Sequence, residues 1–219
     1  MKENLTELVF ILDMSGSMYS LTEDTIGGFN AMIEKQKKEA GEAVVSLVVF
    51  NTESQVILDR VPLEKAEPLT DKEYCPEGCT ALLDAMGDAI HHIGNVHKYA
   101  REEDRPMHTV FIITTDGYEN ASRHYSADRV REMVKRQKEK HDWEFLFLGA
   151  NIDAVETAAH YGISADRAVE YRNDKQGVEL EYNVVSRTVS RMRARRCEEE
   201  PVDASWKAEI EADLRKRGK

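Results

Sequence analysis

The sequence predicts an α/β protein: a Rossmann-like, doubly wound, mostly parallel six-stranded sheet with one antiparallel edge strand and helices on both faces. Three observations predict it. Apolar runs of strand length alternate with segments of helical period along the chain. The first run, "ELVFILD", is continuously apolar between its two end residues, as a strand covered on both faces is. One pair of runs, "AVVSLVVFN" and "SQVILDR", is separated by a short polar break only, which makes a hairpin and so an antiparallel edge.

The elements follow in order. After "ELVFILD", helical spacing of Ile26, Phe29, Met32 and Ile33 predicts a helix over Leu21 to Ala40, with Gly41 as its stop. The hairpin comes next. Residues 61–79 hold three prolines and no sustained period, so a long loop is expected there, and loops of this length often serve function. Leu82, Met86, Ala89, Ile90, Ile93 and Val96 make a wide helical face, and "HTVFIITTDG" is a buried strand that ends on a turn. Ser126 can cap a helix carrying Val130, Met133, Val134 and Gln137 on one face. "WEFLFLGAN" is the fifth strand, "DAVETAAHYG" a helix, and "RAVEY" a short sixth strand. Val178, Tyr182, Val185, Val189 and Met192 fall at helical spacing in the segment that follows.

At 219 residues the chain is sized for one domain with an appended tail: residues 1–196 form the domain, and 197–219 a tail with a short amphipathic helix. Its apolar runs are too short for a membrane helix of about 20 residues, so no membrane association is expected. Forty-one Asp and Glu against 30 Lys and Arg give a formal charge of −11, which disfavours nucleic acid and anionic lipid as partners. The opening "MKENLTELVF" enters a strand almost at once without the features of a signal peptide, and a cytoplasmic location is expected. Three cysteines suit reduced thiols rather than a disulfide framework.

In doubly wound sheets ligands collect beyond the carboxyl ends of the strands, where the strand order reverses. Three such exits carry oxygen donors: Asp13, Ser15 and Ser17 in "DMSGSM", Thr80 in "EGCTALLDAM", and Asp116 in "TTDGYEN". In an extended loop alternate side chains point the same way, so Asp13, Ser15 and Ser17 can gather around one point, and Gly16 lets the loop tighten. Each residue alone has a plainer reading. Ser15, Ser17 or Thr80 could cap a helix, and Asp-Gly is a common turn. Taken together, five oxygen donors suit a hard cation such as magnesium, which takes about six oxygens and keeps some of its waters; manganese or calcium can occupy the same kind of site. Two carboxylates among neutral hydroxyls leave a divalent ion electrophilic and open to one further anionic oxygen.

These motifs resemble those of the von Willebrand factor type A domains, the fold also found in integrin I domains. "DMSGSM" fits the D-x-S-x-S metal motif of that family, "GCTALLDAM" supplies its Gly-x-Thr, and "TTDG" follows a strand, all in the family's order. The resemblance spans about residues 5 to 195. It implies a metal-ion-dependent adhesion site in which Ser15, Ser17 and Thr80 are hydroxyl ligands while Asp13 and Asp116 are carboxylates that often act through water. "TALLDAM" and "FLFLGANIDAVETAAHYGI" look like bacterial, intracellular members, which commonly work in multiprotein assemblies, sometimes beside an AAA-type ATPase. The function expected on this basis is noncatalytic, metal-dependent protein binding, in which a partner supplies a Glu or Asp to the metal.

The competing expectation is a metal-dependent phosphohydrolase using Asp13 as nucleophile. Such sites usually place a second aspartate two residues on, where this chain has Ser15, and no histidine lies in the three motif loops. Cys75 and Cys79 flank the second motif and read as reduced loop thiols, a transient disulfide being the sharper alternative. His91, His92 and His97 are expected mostly on a solvated face. Glu119 and Asn120 suit turn and capping roles as well as ligand contact, and Asp153 suits a helix cap. In the tail, Trp206, Ile210 and Leu214 make a narrow apolar stripe that either docks on the domain's own surface or binds a partner.

Overall fold

The computed structural model describes residues 1–195 and 202–218. The 196/197 boundary, Cys197 and the acidic run that follows it lie outside the described residues. Six strands, β1 (Lys2–Asp13), β2 (Glu42–Phe50), β3 (Ser54–Pro62), β4 (Pro106–Thr115), β5 (Glu144–Gly149) and β6 (Ala168–Glu170), form one sheet in the order β3-β2-β1-β4-β5-β6. All neighbours are parallel except the β2–β3 hairpin. The antiparallel edge is therefore where the short polar break put it.

Six helices cover the sheet: α1 (Thr22–Gln36), α2 (Leu82–Tyr99), α3 (Ala127–His141), α4 (Ala154–His160), α5 (Lys175–Ala194) and α6 (Ala208–Arg217). The period of two along each central strand divides the core. Leu8, Phe10, Leu12, Val110, Ile112, Leu146 and Leu148 face α1, α5 and α6, whereas Val9, Ile11, Phe111, Ile113, Phe145 and Phe147 face α2, α3 and α4. Ser126 and Asp153 cap α3 and α4 through the backbone N–H of Arg129 and Glu156. Asp174 does the same for α5 through Gly177.

The first helix is shorter than its spacing suggests. A 3-10 turn over Gly16–Leu21 precedes α1, and Gly41, at φ +89°, turns the chain into β2. The last turn of α1 is anchored where Gln36, wholly buried, donates to the Ser186 carbonyl (2.9 Å) and to the Ser190 hydroxyl (3.0 Å) of α5. His91 and His92 are exposed, as expected of most of these histidines, and His97 is the exception. It is half-buried and bonds Glu7, at 2.5 Å, which also pairs with Arg60 (2.6 Å). A carboxylate this deep within a sheet requires such partners.

The apolar stripe of the tail docks on the chain itself. Trp206 and Ile210 are buried in the core cluster with α5, and Leu214 is half-buried. The Trp206 indole N–H donates to the Asp166 carbonyl (2.8 Å), and Lys207 Nζ donates to the carbonyls of Ala165 (2.6 Å) and Ala168 (2.8 Å). The α6 segment so covers edge strand β6, an edge that would otherwise present unpaired backbone.

The chain adds β2 on one side of β1 and β4 on the other. The strand order reverses between β1 and β4. Their carboxyl ends, Asp13 and Thr115, therefore open onto the crevice where such sheets bind ligands.

Candidate metal centre

Asp13 is the last residue of β1 and is 1% exposed. Its Oδ1 accepts the backbone N–H of Ser15 (2.7 Å) and its Oδ2 accepts the hydroxyl of Thr115 (2.6 Å), so both oxygens are fixed by short bonds. Ser15 is extended at φ −70° and ψ 165°, and its Oγ lies 3.1 Å from Ser17 Oγ. The Ser17 hydroxyl donates across the crevice to Asp116 Oδ1 at 2.5 Å. Asp13, Ser15, Ser17 and Asp116 are thus one connected cluster. Ser15 stands at the N-cap of the 3-10 turn, yet its side chain makes no capping bond. The plainer reading of that serine is not realised.

Thr80 arrives by a different route from the one its sequence context suggests. It does not follow a strand. Because β3 runs antiparallel, the chain leaves it at the end of the sheet away from the crevice and returns through residues 66–81 to reach it. That return is pinned along its length. Asn30 exchanges two 2.8 Å bonds with the Leu69 backbone, and the fully buried Tyr74 donates its hydroxyl to the Asp13 carbonyl at 2.5 Å. Glu77 N–H donates to the Met14 carbonyl (3.0 Å) and Gly16 N–H to the Gly78 carbonyl (3.1 Å). Gly78 has φ +71°, and a Cβ there would lie 2.7 Å from Thr52 Oγ1, so this close approach requires glycine. Thr80 is buried, and its backbone bonds Asn120 in both directions: N–H to Oδ1 at 2.9 Å, and carbonyl from the Asn120 N–H at 3.0 Å. The cap position of α2 is Ala81, with no side-chain bond.

Several residues of the site carried little sequence signal. Thr115 holds Asp13, and Asn173, in the turn after β6, donates to Asp116 Oδ2 at 3.2 Å. Glu119 and Asn120 prove to be structural. Glu119 accepts from the backbone of Leu83, Ala121 and Ser122 at 2.7–2.9 Å, and so ties the Asp116 loop to the start of α2. The Asp-Gly-x-Glu-Asn spacing hinted at these two; nothing local marked Asn173. Asn151, in the positive-φ region at 57°, reaches the Asp116 carbonyl at 3.4 Å. Cys75 and Cys79 are both exposed, and Cys75 donates to the Asp71 carbonyl.

The electrostatics of this cluster suit a cation. Asp13 and Asp116 are both buried, and among the described residues neither is ion-paired with Lys or Arg. Burial pushes the Asp13 carboxyl above its ordinary value, bonds from Thr115 and Ser15 pull it back, and the charge of Asp116 adds to the rise. Asn173 Oδ1 is a buried acceptor beside Asp116 for which the described residues provide no donor. Two carboxylates in want of positive charge, with hydroxyls between them, fit a hard divalent ion with neutral first-layer donors. Among the described residues no group of three or more His, Cys, Asp or Glu side chains is placed to hold a metal ion by itself.

No family model matches the sequence, and no curated protein matches it. Solved structures do match. One is the vWF domain of the type V pili tip protein Mfa5 from Porphyromonas gingivalis, at 9% identity and a TM-score of 0.62, covering 89% of this chain and 98% of that one. The fold is that of a von Willebrand factor type A domain. A von Willebrand factor type A structure from Catenulispora acidiphila aligns with 14% identity over 86% of this chain and 43% of its own, at a TM-score of 0.58. Proximal thread matrix protein 1 from the mussel byssus, with a zinc-occupied MIDAS motif, aligns with 15% identity over 84% of this chain and 46% of its own, at 0.59. This chain spans less than half the length of those last two. At such identities the likeness carries the type A fold and nothing finer. Among the described residues no helix is long and apolar enough to cross a membrane.

Proposed function

We propose that the chain is a noncatalytic, divalent-metal-dependent protein-binding module of type A fold. Asp13, Ser15, Ser17, Thr80 and Asp116 would hold magnesium, and a Glu or Asp of a partner protein would complete its coordination. The observation that carries this reading is the connected cluster of Asp13, Ser15, Ser17 and Asp116 at the β1–β4 crevice. A hydroxyl has one proton and two lone pairs, so Ser17 can offer a lone pair to a cation while still donating to Asp116. The bound ion would supply Lewis acidity toward an incoming carboxylate. The zinc-occupied MIDAS of the mussel protein supports divalent-ion binding in this fold. A magnesium-filled site in an intracellular, bacterial assembly, such as one built around an AAA-type ATPase, is the setting we infer for it.

The phosphohydrolase alternative is disfavoured by the same geometry. The position two residues after Asp13, where such an enzyme usually carries its second aspartate, is Ser15, whose neutral Oγ lies 3.1 Å from Ser17 Oγ within the connected cluster. Calorimetry with magnesium and manganese tests the metal set: binding should be lost in Ser15→Ala, Ser17→Ala and Asp116→Ala. Unchanged affinity in all three would rule out the site. Partner capture that chelator abolishes, and that fails when one acidic side chain of the identified partner is replaced, tests the carboxylate. Metal-dependent phosphatase turnover lost in Asp13→Asn would instead favour the enzyme.

A further inference from the structure

The turn between β6 and α5 touches the candidate metal centre on one side and the end of α6 on the other. On the metal side, Asn173 donates to Asp116 Oδ2 at 3.2 Å while Ser17 donates to Oδ1 at 2.5 Å. One donor on each oxygen fixes the carboxylate plane. On the other side, Arg217 of α6 reaches both oxygens of Asp174, at 3.0 and 2.8 Å. Arg172 closes the loop: its Nε donates to Asp174 Oδ2 (2.6 Å), and its Nη1 donates to the carbonyls of Arg217 (2.6 Å) and Gly218 (2.9 Å). Asp174 at the same time caps α5 through Gly177 N–H at 2.8 Å. The turn is compact enough that a Cβ on Gly177 would sit 1.9 Å from the Arg172 carbonyl oxygen. Asn173 is therefore held between two charged residues that both grip the end of α6.

Leu214 of α6 and Asn173 also line a common cleft of about 540 Å³, together with Tyr118 and Asn151 of the crevice loops. The end of the tail helix is thus a wall of the cavity beside the candidate metal centre. This wall is made by residues beyond α5, outside the D-x-S-x-S motif.

We propose that α6 is a latch on the metal centre and that Asn173 is the positioning residue through which it acts. The proposal rests on the metal reading above. With α6 docked, Arg217 and Arg172 hold Asp174, the turn holds Asn173, and Asn173 presets the orientation of Asp116. Magnesium demands near-ideal geometry, so a preset carboxylate raises affinity and a released one lowers it. Any link between two sites acts equally in both directions. Metal binding must accordingly tighten the docking of α6.

The test uses the full chain and manganese as probe, with dissociation constants measured by calorimetry for the wild type, Arg217→Ala, Asn173→Ala and the double variant. Arg217→Ala and Asn173→Ala should each weaken binding by roughly five- to tenfold, within the usual range of site-to-site coupling. The double variant should be little weaker than Asn173→Ala alone, because both changes break one path. Arg217→Glu, which sets a like charge against Asp174, should weaken binding at least as much. Hydrogen exchange gives a readout independent of affinity: magnesium should slow exchange of the 208–217 amides in the wild type and not in Asn173→Ala. The latch is overturned by an Arg217→Ala affinity within twofold of wild type, by additive effects in the double variant, or by α6 exchange indifferent to magnesium. If manganese binding persists in Ser15→Ala and Asp116→Ala, or the wild type binds none, the metal reading falls and the latch falls with it; the other outcomes remove the latch alone.

Discussion

Replacing Tyr74 by Phe isolates one atom of the architecture. The ring is fully buried within the cluster that also holds α1 and α5, and Phe retains that packing. Only the hydroxyl is lost, and with it the 2.5 Å bond to the Asp13 carbonyl. The cost lies between about 1 kcal/mol for a net hydrogen bond and about 3 kcal/mol for a buried acceptor left without its donor. We expect about 2 kcal/mol. For a chain of 219 residues this lowers Tm by about 4–8 °C. Burial pushes the phenol well above its ordinary value, so it stays protonated and the deficit should not change between pH 6 and 9. Urea and thermal unfolding followed by circular dichroism measure it, with Tyr19→Phe, an exposed tyrosine, as the silent control. A Tm within 1 °C of wild type would refute the view that Tyr74 pins the 66–81 return to the end of β1.

Three further predictions follow from named contacts. Magnesium at about one hundred times its dissociation constant should stabilise the wild type by about 2.7 kcal/mol, and Ser15→Ala or Asp116→Ala should show no shift in a thermal scan with and without the ion. Glu181 is buried on α5, and desolvation holds its carboxyl well above the ordinary value of 4.5. The unfolded chain releases this proton from about pH 4.5 upward while the folded chain retains it. The stability the group contributes is complete below that pH and is lost as pH rises toward the folded value. Glu181→Gln should therefore match the wild type near pH 4 and exceed it at pH 8 in urea titrations; equal stability at both would contradict the burial argument. Trp206→Ala should cost about 3–5 kcal/mol, read by urea unfolding, because the indole fills a core position and donates to Asp166. A cost under about 1 kcal/mol would show that α6 is not docked in solution.

The strands and the covered faces of the helices were legible because burial writes a period into the sequence. Leu8, Phe10 and Leu12 against Val9 and Ile11 already divide into two faces, and Ser126 and Asp153 announce helix starts by chemistry that acts over three residues. The site was legible in part. Asp13, Ser15 and Ser17 lie within five residues of one another, so local geometry suffices to gather them, although Ser17 sits in the 3-10 turn over Gly16–Leu21 and not in the extended loop expected for it. Thr80 was expected directly at a strand exit, whereas it stands at the end of the 66–81 return. Its approach depends on β3 ending at the far end of the sheet from the crevice, which is a property of the sheet and has no local mark. The burial of His97 has no local mark either: the partner that draws it inward, Glu7, lies ninety positions away.

By itself the sequence determined the fold class and the antiparallel edge, because each depends on spacing within a window of a few residues, and it nominated five candidate oxygen donors in three short motifs. Only the tertiary structure decided which groups hold those donors in place. Thr115 on Asp13, Asn120 on Thr80 and Asn173 on Asp116 join residues 102, 40 and 57 positions apart. It also decided that the tail ends against the turn carrying Asn173, a contact between surfaces that form only once β6 and α5 have folded. Hydrogen bonds act over about three ångströms of space, and only the folded chain brings residues so far apart in sequence within that reach.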